Sequence, residues 1–362
     1  MEFRSVFLLT FILYCFSDSP VLGEDASNWM SNHNDILGRR SLKEICIPGS
    51  HDSGMSTLTK STALADSCNV LTQKFPIKDQ LQFGARYFDV RPVLDNGEFV
   101  TGHYIKLVGS HYQGGNGQSI KSILDEINNF ISTQNELVLV RLSKSLNTQK
   151  SRPFDSDEWE RLFQMLDNTK NLFSTPDETI CLPEVTLDEF TNNGTKGAVL
   201  YIIYETGVHL GARLGNGYFY YSNLDPYSKY SNTHDLNAMM NDQIQKMKDN
   251  SRKKYFLLSW TLTQGFMNSA FCKLGIGGKS IEKLSEEANR KLKAIVPKVN
   301  SNAFPNILYV DYIQDSSVLE TVMEINNRID HPAPVSKGTL FKNDPLVYIV
   351  LLINLFRYIQ TF

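Results

Sequence analysis

From about residue 40 to residue 330 the chain alternates runs that read as strands with runs that read as helices, and this pattern constrains the fold most. Residues 137–142 (LVLVRL), 198–204 (AVLYIIY) and 255–260 (YFLLSW) are apolar almost without a break. Such runs are expected where both faces of a sheet are covered. Residues 118–134 carry apolar side chains at 120, 123, 124, 127, 130 and 131, a helical spacing with one buried face. Further helices are expected at 157–168, 281–296 and 318–329, and further strands at 42–47, where Pro48-Gly49 ends the run, and at 307–312. Residues 86–93 and 98–103 flank Asp95-Asn96-Gly97, a hairpin signal. Strand–helix alternation implies a parallel sheet with helices outside it. Seven or eight strands fit a TIM-type α/β barrel, a single domain over 40–330, with chemistry on the loops that follow strand C-termini. The Gly- and Tyr-rich stretch 206–230 is expected to be a long loop at the barrel mouth.

Both ends read as processing signals. Arg4 precedes an apolar run from Val6 to Phe16, too short to span a bilayer, and Val21 and Gly23 suit a cleavage site. Residues 1–23 are therefore expected to be a secretory signal peptide. Residues 331–345 form a polar linker with Ser336, Lys337 and Gly338 as an attachment triplet, and 346–362 form an apolar tail. That arrangement resembles a GPI-anchor signal, with an amphipathic surface segment or a short terminal anchor as the alternative. A secreted or cell-surface location follows. Of five cysteines, Cys15 leaves with the signal peptide, and Cys46, Cys68, Cys181 and Cys272 are the disulfide candidates. An even count in an oxidising compartment suggests two bridges. No CxxC pair occurs, so no zinc site is expected. Asn193-Gly194-Thr195 is a glycosylation sequon. Thirty-six Lys and Arg against 39 Asp and Glu leave a net charge of −3, which sets a nucleic-acid partner aside.

Polar residues gather at predicted strand ends. His51-Asp52 follows the first strand after Pro48-Gly49-Ser50. Asp89 and Arg91 are two apart, so on a strand they face one side, as a functional pair or a structural ion pair. His103 ends the hairpin's return strand, and Asp311 interrupts the apolar run NILYVDYI, where a carboxylate is costly unless paired. Two histidines can serve as general base and general acid near neutral pH. An arginine supplies a permanent bidentate cation for a phosphate. The set suits cleavage of a phosphodiester by an internal hydroxyl without a metal or other cofactor. Zinc on His51, His103 and an Asp is the competing local reading, and the adjacent Arg91 argues against it, because two cations repel at close range.

PGSHDS at 48–53, QLQFGARYFDVRP at 80–92 and GHY at 102–104 resemble the X-domain superfamily of phosphatidylinositol-specific phospholipase C. The similarity continues through GQSIKSILDEINNF, ELVLVRLS and LLSWTLTQ to ILYVDYI at 307–313. It implies an irregular TIM barrel of the single-domain, bacterial-type layout. By that resemblance His51 is the base that deprotonates the inositol 2-hydroxyl, and His103 is the acid that protonates the diacylglycerol oxygen. Arg91 holds the phosphate in place of calcium, Asp311 orients His51, and Asp52 and Asp89 match the remaining acidic positions. His111, in GSHYQGGNGQ, rivals His103 for the acid and otherwise sits on the following loop.

One departure stands out. The bacterial-type enzymes grip the inositol hydroxyls with a basic residue on the strand matching 198–204, where this chain has none. Lys144 could substitute from the neighbouring strand. Trp260 and Tyr204 are candidates to line the head-group pocket, with core packing as the alternative for each. The aromatic tract 218–221, with Tyr227 and Tyr230, either meets membrane or substrate or forms a packed flap. The resulting expectation is a phospholipase C-type phosphoric diester hydrolase acting on a phospholipid or glycolipid at a membrane surface. The alternatives are a GPI glycolipid or another diester as substrate, or a catalytically silent lipid-binding barrel.

Overall fold

The computed structural model describes residues 26–107, 111–314 and 316–328. The expected signal peptide, linker and tail lie outside these residues. Eight parallel strands form one curled sheet: β1 (Ile47–Ser50), β2 (Tyr87–Val90), β3 (Leu137–Leu142), β4 (Ala198–Ile203), β5 (Tyr218–Tyr220), β6 (Pro226–Tyr227), β7 (Tyr255–Ser259) and β8 (Ile307–Val310). Their order is β5-β4-β3-β2-β1-β8-β7-β6, so apart from β5 and β6 each strand lies beside its sequence neighbours, and β1 pairs with β8. Among the described residues no pairing joins β5 to β6, and the barrel stays open there. The cause is local. β5 and β6 are separated by a single helical turn, Tyr221–Leu224, too short to cover a crossover between full-length strands.

The helices of six residues or more are α1 (Ile77–Gln82), α2 (Ile120–Ile131), α3 (Ser156–Leu166), α4 (Leu236–Asn250), α5 (Phe266–Leu274), α6 (Ile281–Asn289) and α7 (Ser316–Arg328). On α2 the buried residues are Ile120, Ile123, Leu124, Ile127, Phe130 and Ile131, the apolar positions of the 118–134 pattern. β3 and β4 are buried along their whole length. Their largely apolar sequence, interrupted by Arg141 in β3, reflects side chains filling the barrel on one face and meeting helices on the other.

Between β2 and α2 the chain makes an antiparallel ribbon of Pro92–Asp95, Glu98–Lys106 and Tyr112–Ser119, edged by Lys60–Ser61 and Leu146–Asn147. Asn96 and Gly97 both take positive φ, 51° and 87°, the twist that a two-residue hairpin turn requires. Gly114 pairs with Tyr104 and has no substitute there, because a Cβ would run into the His103 carbonyl oxygen. This close approach lets Tyr112–Ser119 pair tightly with the strand that carries His103.

Three expectations shift. The first strand covers Ile47–Ser50 rather than 42–47, and Leu42–Glu44 is a 3-10 turn capped by Ser41 and Glu44. Pro48 and Gly49, read locally as breakers, lie inside β1. The Pro48 carbonyl accepts from the Arg86 amide at 3.0 Å, and a Cβ on Gly49 would reach 2.5 Å from Ile307 Cγ2. Gly49→Ala should therefore cost about 1–3 kcal/mol of stability through overpacking, read as a lowered denaturation midpoint. The helix expected over 281–296 ends at Asn289 and gives way to short turns at Leu292–Ala294 and Val296–Lys298, the second containing Pro297. The stretch 206–230, expected as loop, contains β5 and β6, so two barrel staves were hidden in segments of three and two residues.

The domain also begins before residue 40. Trp29 is buried, and its indole donates to the Gly84 carbonyl at 3.0 Å. The Glu136 carboxylate accepts from the Met30 and Ser31 amides and pairs with Arg86 at 2.8 Å, with both charged groups fully buried. The cysteines form one bridge rather than two. Cys68 and Cys272 are bonded, tying the β1–β2 connection to α5. Cys46 is free and buried in the core, whereas Cys181 is free and exposed, so burial alone separates them. Asn193 sits in an exposed turn with φ 57°.

Candidate active site

The C-terminal ends of β1, β2, β3 and β8, together with the ribbon, bring His51, Asp52, Asp89, Arg91, His103 and Asp311 into one contiguous cluster. His51 follows β1, and its amide donates to the Val310 carbonyl of β8 at 3.0 Å. Its Nδ1 lies 2.6 Å from Asp311 Oδ1, and its Nε2 lies 2.8 Å from Arg91 Nη2. A guanidinium can only donate, so Nε2 is the acceptor and the Nδ1 proton goes to Asp311. That bond selects the tautomer whose free lone pair faces the guanidinium.

Arg91 is the hub. Its Nη1 donates to Asp52 Oδ2 at 2.8 Å and its Nε to Asp89 Oδ2 at 3.1 Å. Burial works against its charge, but Asp52 and Asp89 more than offset that, and its pKa rises. For Asp89, burial opposes ionisation, yet Arg91, Arg141, His51 and the Tyr309 hydroxyl together hold its carboxyl well below the usual range. Asp89 also accepts from Ser143 Oγ at 2.9 Å and from Tyr309 OH at 2.7 Å. The Tyr309 ring packs edge-on to His51, with centroids 5.2 Å apart.

His103 approaches from the ribbon. Its Nδ1 stands 3.0 Å from Asp52 Oδ2 at an angle outside hydrogen-bond geometry. Asp52 takes a left-handed φ of 42°, held by Thr72 Oγ1 donating to its carbonyl at 2.9 Å. Strained non-glycine residues of this kind concentrate at functional sites. The two histidine side chains are each 21% exposed while Asp52, Asp89 and Asp311 are buried, so a ligand meets the imidazoles first. A base with a fixed lone pair, a buried guanidinium and a second imidazole beside a carboxylate can take a proton, stabilise a charged phosphorus centre and return a proton.

The other expected residues divide. Lys144 follows β3 with φ 53°, and its ammonium is pulled down first by the Arg91 charge and then by partial burial, so it stands near the cluster. Tyr204, just past β4, is 40% exposed and borders the same end. Trp260 is fully buried, and its indole donates to the Ala288 carbonyl at 2.8 Å, so it is a core residue and not a pocket wall. Its long apolar body follows directly on β7 and points inward, which spacing alone did not decide. His111 is exposed beyond the ribbon's return strand, away from these contacts. Tyr218 and Phe219 are core residues of β5, while Tyr230 is exposed.

Several participants were not singled out from the sequence. Gln73 donates from Nε2 to the His51 carbonyl at 2.9 Å and accepts from the Ile313 amide, stapling the two loops that hold His51 and Asp311. Tyr309 and Ser143 support Asp89. Arg141 lies in β3 in register with Asp89. A lone charge in LVLVRL was the available signal for it, the same signal that marked Asp311.

No family model matches the chain. Two curated proteins, each a 1-phosphatidylinositol phosphodiesterase of Staphylococcus aureus (strains Newman and NCTC 8325 / PS 47), are 30% identical over 131 residues. That match covers 36% of this chain and 38% and 36% of the two relatives, so it spans well under half of their length. Among solved structures, phosphatidylinositol-specific phospholipase C from Listeria monocytogenes superposes with a TM-score of 0.58 at 17% identity, covering 85% of this chain and 100% of that one. A variant of the Staphylococcus aureus enzyme gives 0.56 at 19%, covering 82% and 97%. In fold, this chain is similar to the barrels of these phosphatidylinositol-specific phospholipase C enzymes.

Proposed function

We propose that the protein is a phosphoric diester hydrolase of phospholipase C type that cleaves the diester of an inositol-containing lipid. The observation that carries this reading is the unbroken chain of contacts Asp311–His51–Arg91–Asp52–His103. His51 takes the proton of a head-group hydroxyl next to the phosphate. That oxygen attacks phosphorus, Arg91 turns from His51 to the phosphate oxygens, and His103 gives its proton to the departing lipid alkoxide. The products are a cyclic phosphodiester and a diacylglycerol or equivalent lipid, with charge and protons balanced between the two imidazoles. Arg91, bonded to Asp52 Oδ2 and to His51 Nε2, already supplies a positive charge for the phosphate, which supports a metal-independent reaction.

The names of the similar proteins support an inositol phospholipid as substrate. Exposed Leu64, Leu274 and Ile276 lie near the Cys68–Cys272 bridge and support work at a lipid surface. No described helix is long and apolar enough to cross a membrane. The disulfide, the apolar start of the chain and the exposed Asn193 sequon fit a secreted or surface-attached glycoprotein. The test is turnover of a water-soluble inositol phosphodiester in EDTA, followed by phosphorus NMR. A cyclic phosphate should appear first, at a rate that chelator leaves unchanged. Absence of turnover would support the silent lipid-binding alternative, and turnover of other diesters alone would redirect the substrate.

A further inference from the structure

The pairing of β1 with β8 ends at Ser50 and Val310, so His51 and Asp311 are each the first residue past the ladder. They stand 260 positions apart in the chain, yet Nδ1 and Oδ1 are 2.6 Å apart. Each is followed by a left-handed residue, Asp52 at φ 42° and Tyr312 at φ 53°. Backbone of that kind is costly for a residue with a side chain. The turn it makes also takes the neighbouring amides and carbonyls out of the sheet, and inside the protein they need other partners.

Two adjacent residues of the β1–β2 connection supply those partners. Gln73, 1% exposed, donates from Nε2 to the His51 carbonyl at 2.9 Å and to the Val310 carbonyl at 3.4 Å, and its Oε1 accepts from the Ile313 amide at 3.1 Å. Thr72 Oγ1 donates to the Asp52 carbonyl at 2.9 Å, and the Thr72 carbonyl accepts from the Tyr312 amide at 2.8 Å. The pair is itself fixed, because both of its amides donate to the Met55 carbonyl, at 3.1 and 3.2 Å. Asn289 of α6 adds bonds to the Asp311 and Tyr312 carbonyls at 3.0 and 3.3 Å. A primary amide carries donors and an acceptor in one planar group, so Gln73 ties both loops at once, which a carboxylate or thioether of similar length cannot do.

We propose that Gln73 is a positioning residue for the base: bonded beside both strand ends, it sets Asp311 against His51 Nδ1 and so fixes the direction of the Nε2 lone pair. Thr72 assists by holding the two left-handed residues. Gln73 touches no reacting atom and acts through His51 and Asp311. That role rests on the phosphodiesterase reading for its kinetic consequence and not for its geometry. A shift of about 1 Å between the two loops breaks the Nδ1 bond, and misplacement on that scale costs about 10²-fold in rate.

Gln73→Met keeps the volume and removes both donor and acceptor. Gln73→Asn keeps them but is one methylene short, so it serves one loop at a time, and it carries the test if Gln73→Met fails to fold. Gln243→Met controls for stability alone. Gln243 of α4 is likewise buried, donates to the Lys229 carbonyl and accepts from the Ser259 amide, each at 3.0 Å, and neither partner belongs to the cluster. On a water-soluble inositol phosphodiester, Gln73→Met should lower kcat about 10–100-fold with KM within a few-fold, and Gln73→Asn should fall between. Gln243→Met should lose as much Tm and keep kcat. A second readout needs no turnover. In nitrogen NMR of histidine-labelled protein, the neutral His51 ring should carry its proton on Nδ1 in the parent and shift toward the Nε2–H form in the Gln73 variants. Absence of the signal from His51→Ala assigns it. Parent-like kcat and tautomer in a folded Gln73 variant would overturn the role, as would equal losses in Gln243→Met. A parent that turns over no diester removes the phosphodiesterase reading, and the tautomer comparison then still decides whether Gln73 places Asp311 on His51.

Discussion

His51→Ala is expected to lower kcat by about 10³–10⁴-fold, with a far smaller change in KM. The imidazole is the one group in the cluster with a lone pair held in a defined direction. Asp311 takes the Nδ1 proton at 2.6 Å and leaves Nε2 to accept. Alanine removes the acceptor and cannot be replaced by Asp311, which sits behind the ring and is buried. The substitution also leaves Asp311 without its partner, so a stability loss of about 1–3 kcal/mol should accompany the kinetic one. Single-turnover rates on a soluble inositol diester, alongside a thermal melt, separate the two effects. Retention of more than a tenth of parent activity in a folded variant would exclude His51 as the base.

Arg91→Met carries the other large effect, in both activity and stability. The guanidinium contacts both Asp52 and Asp89 inside the protein, at 2.8 and 3.0 Å. Removing it leaves buried carboxylates uncompensated, at about 3–5 kcal/mol, and removes the cation facing the phosphate, at about 10³-fold or more in kcat/KM.

The pH dependence gives the sign. In the parent, Asp89 is held well below the ordinary carboxylate value of about 4. Its contribution is therefore complete above that value and is lost only as pH falls through the lower folded value. In Arg91→Met the burial contribution is no longer overcome by its main cation, so the folded state prefers Asp89 protonated. The stability deficit should then be largest at pH 7 and shrink towards pH 4.5. Denaturant titrations of both proteins at the two pH values measure this. An equal deficit at both would show that Asp89 does not depend on Arg91.

The cluster was partly legible because its polar residues interrupt apolar patterns. Asp311 in NILYVDYI and the Asp89/Arg91 pair in YFDVRP demanded partners, and the structure supplies them at 2.6 to 3.1 Å. Arg141 sent the same signal from LVLVRL and was not singled out, and the structure sets it beside Asp89 and the rings of Tyr204 and Tyr221. Trp260 shows the opposite failure. An aromatic beside a strand end can face the mouth or the core, and only packing of its indole against Ala288 decides. The cysteines show it again, since Cys46 and Cys181 are equally available in sequence but one is buried and the other is on the surface.

What the chain determined alone was what acts over a few residues. The periodicity of α2, the Asn-Gly turn of the ribbon and the largely apolar β3 and β4 follow from burial of one face or both and from backbone twist, and each is written locally. Tertiary structure alone decided that Pro48 and Gly49 sit within β1, that segments of two and three residues complete the barrel, and which cysteines meet. These outcomes depend on atoms far away in sequence, such as Ile307 against Gly49 or the strand edges that β5 and β6 join. A residue's own neighbours carry no record of such distances, because close packing is a property of the assembled layers.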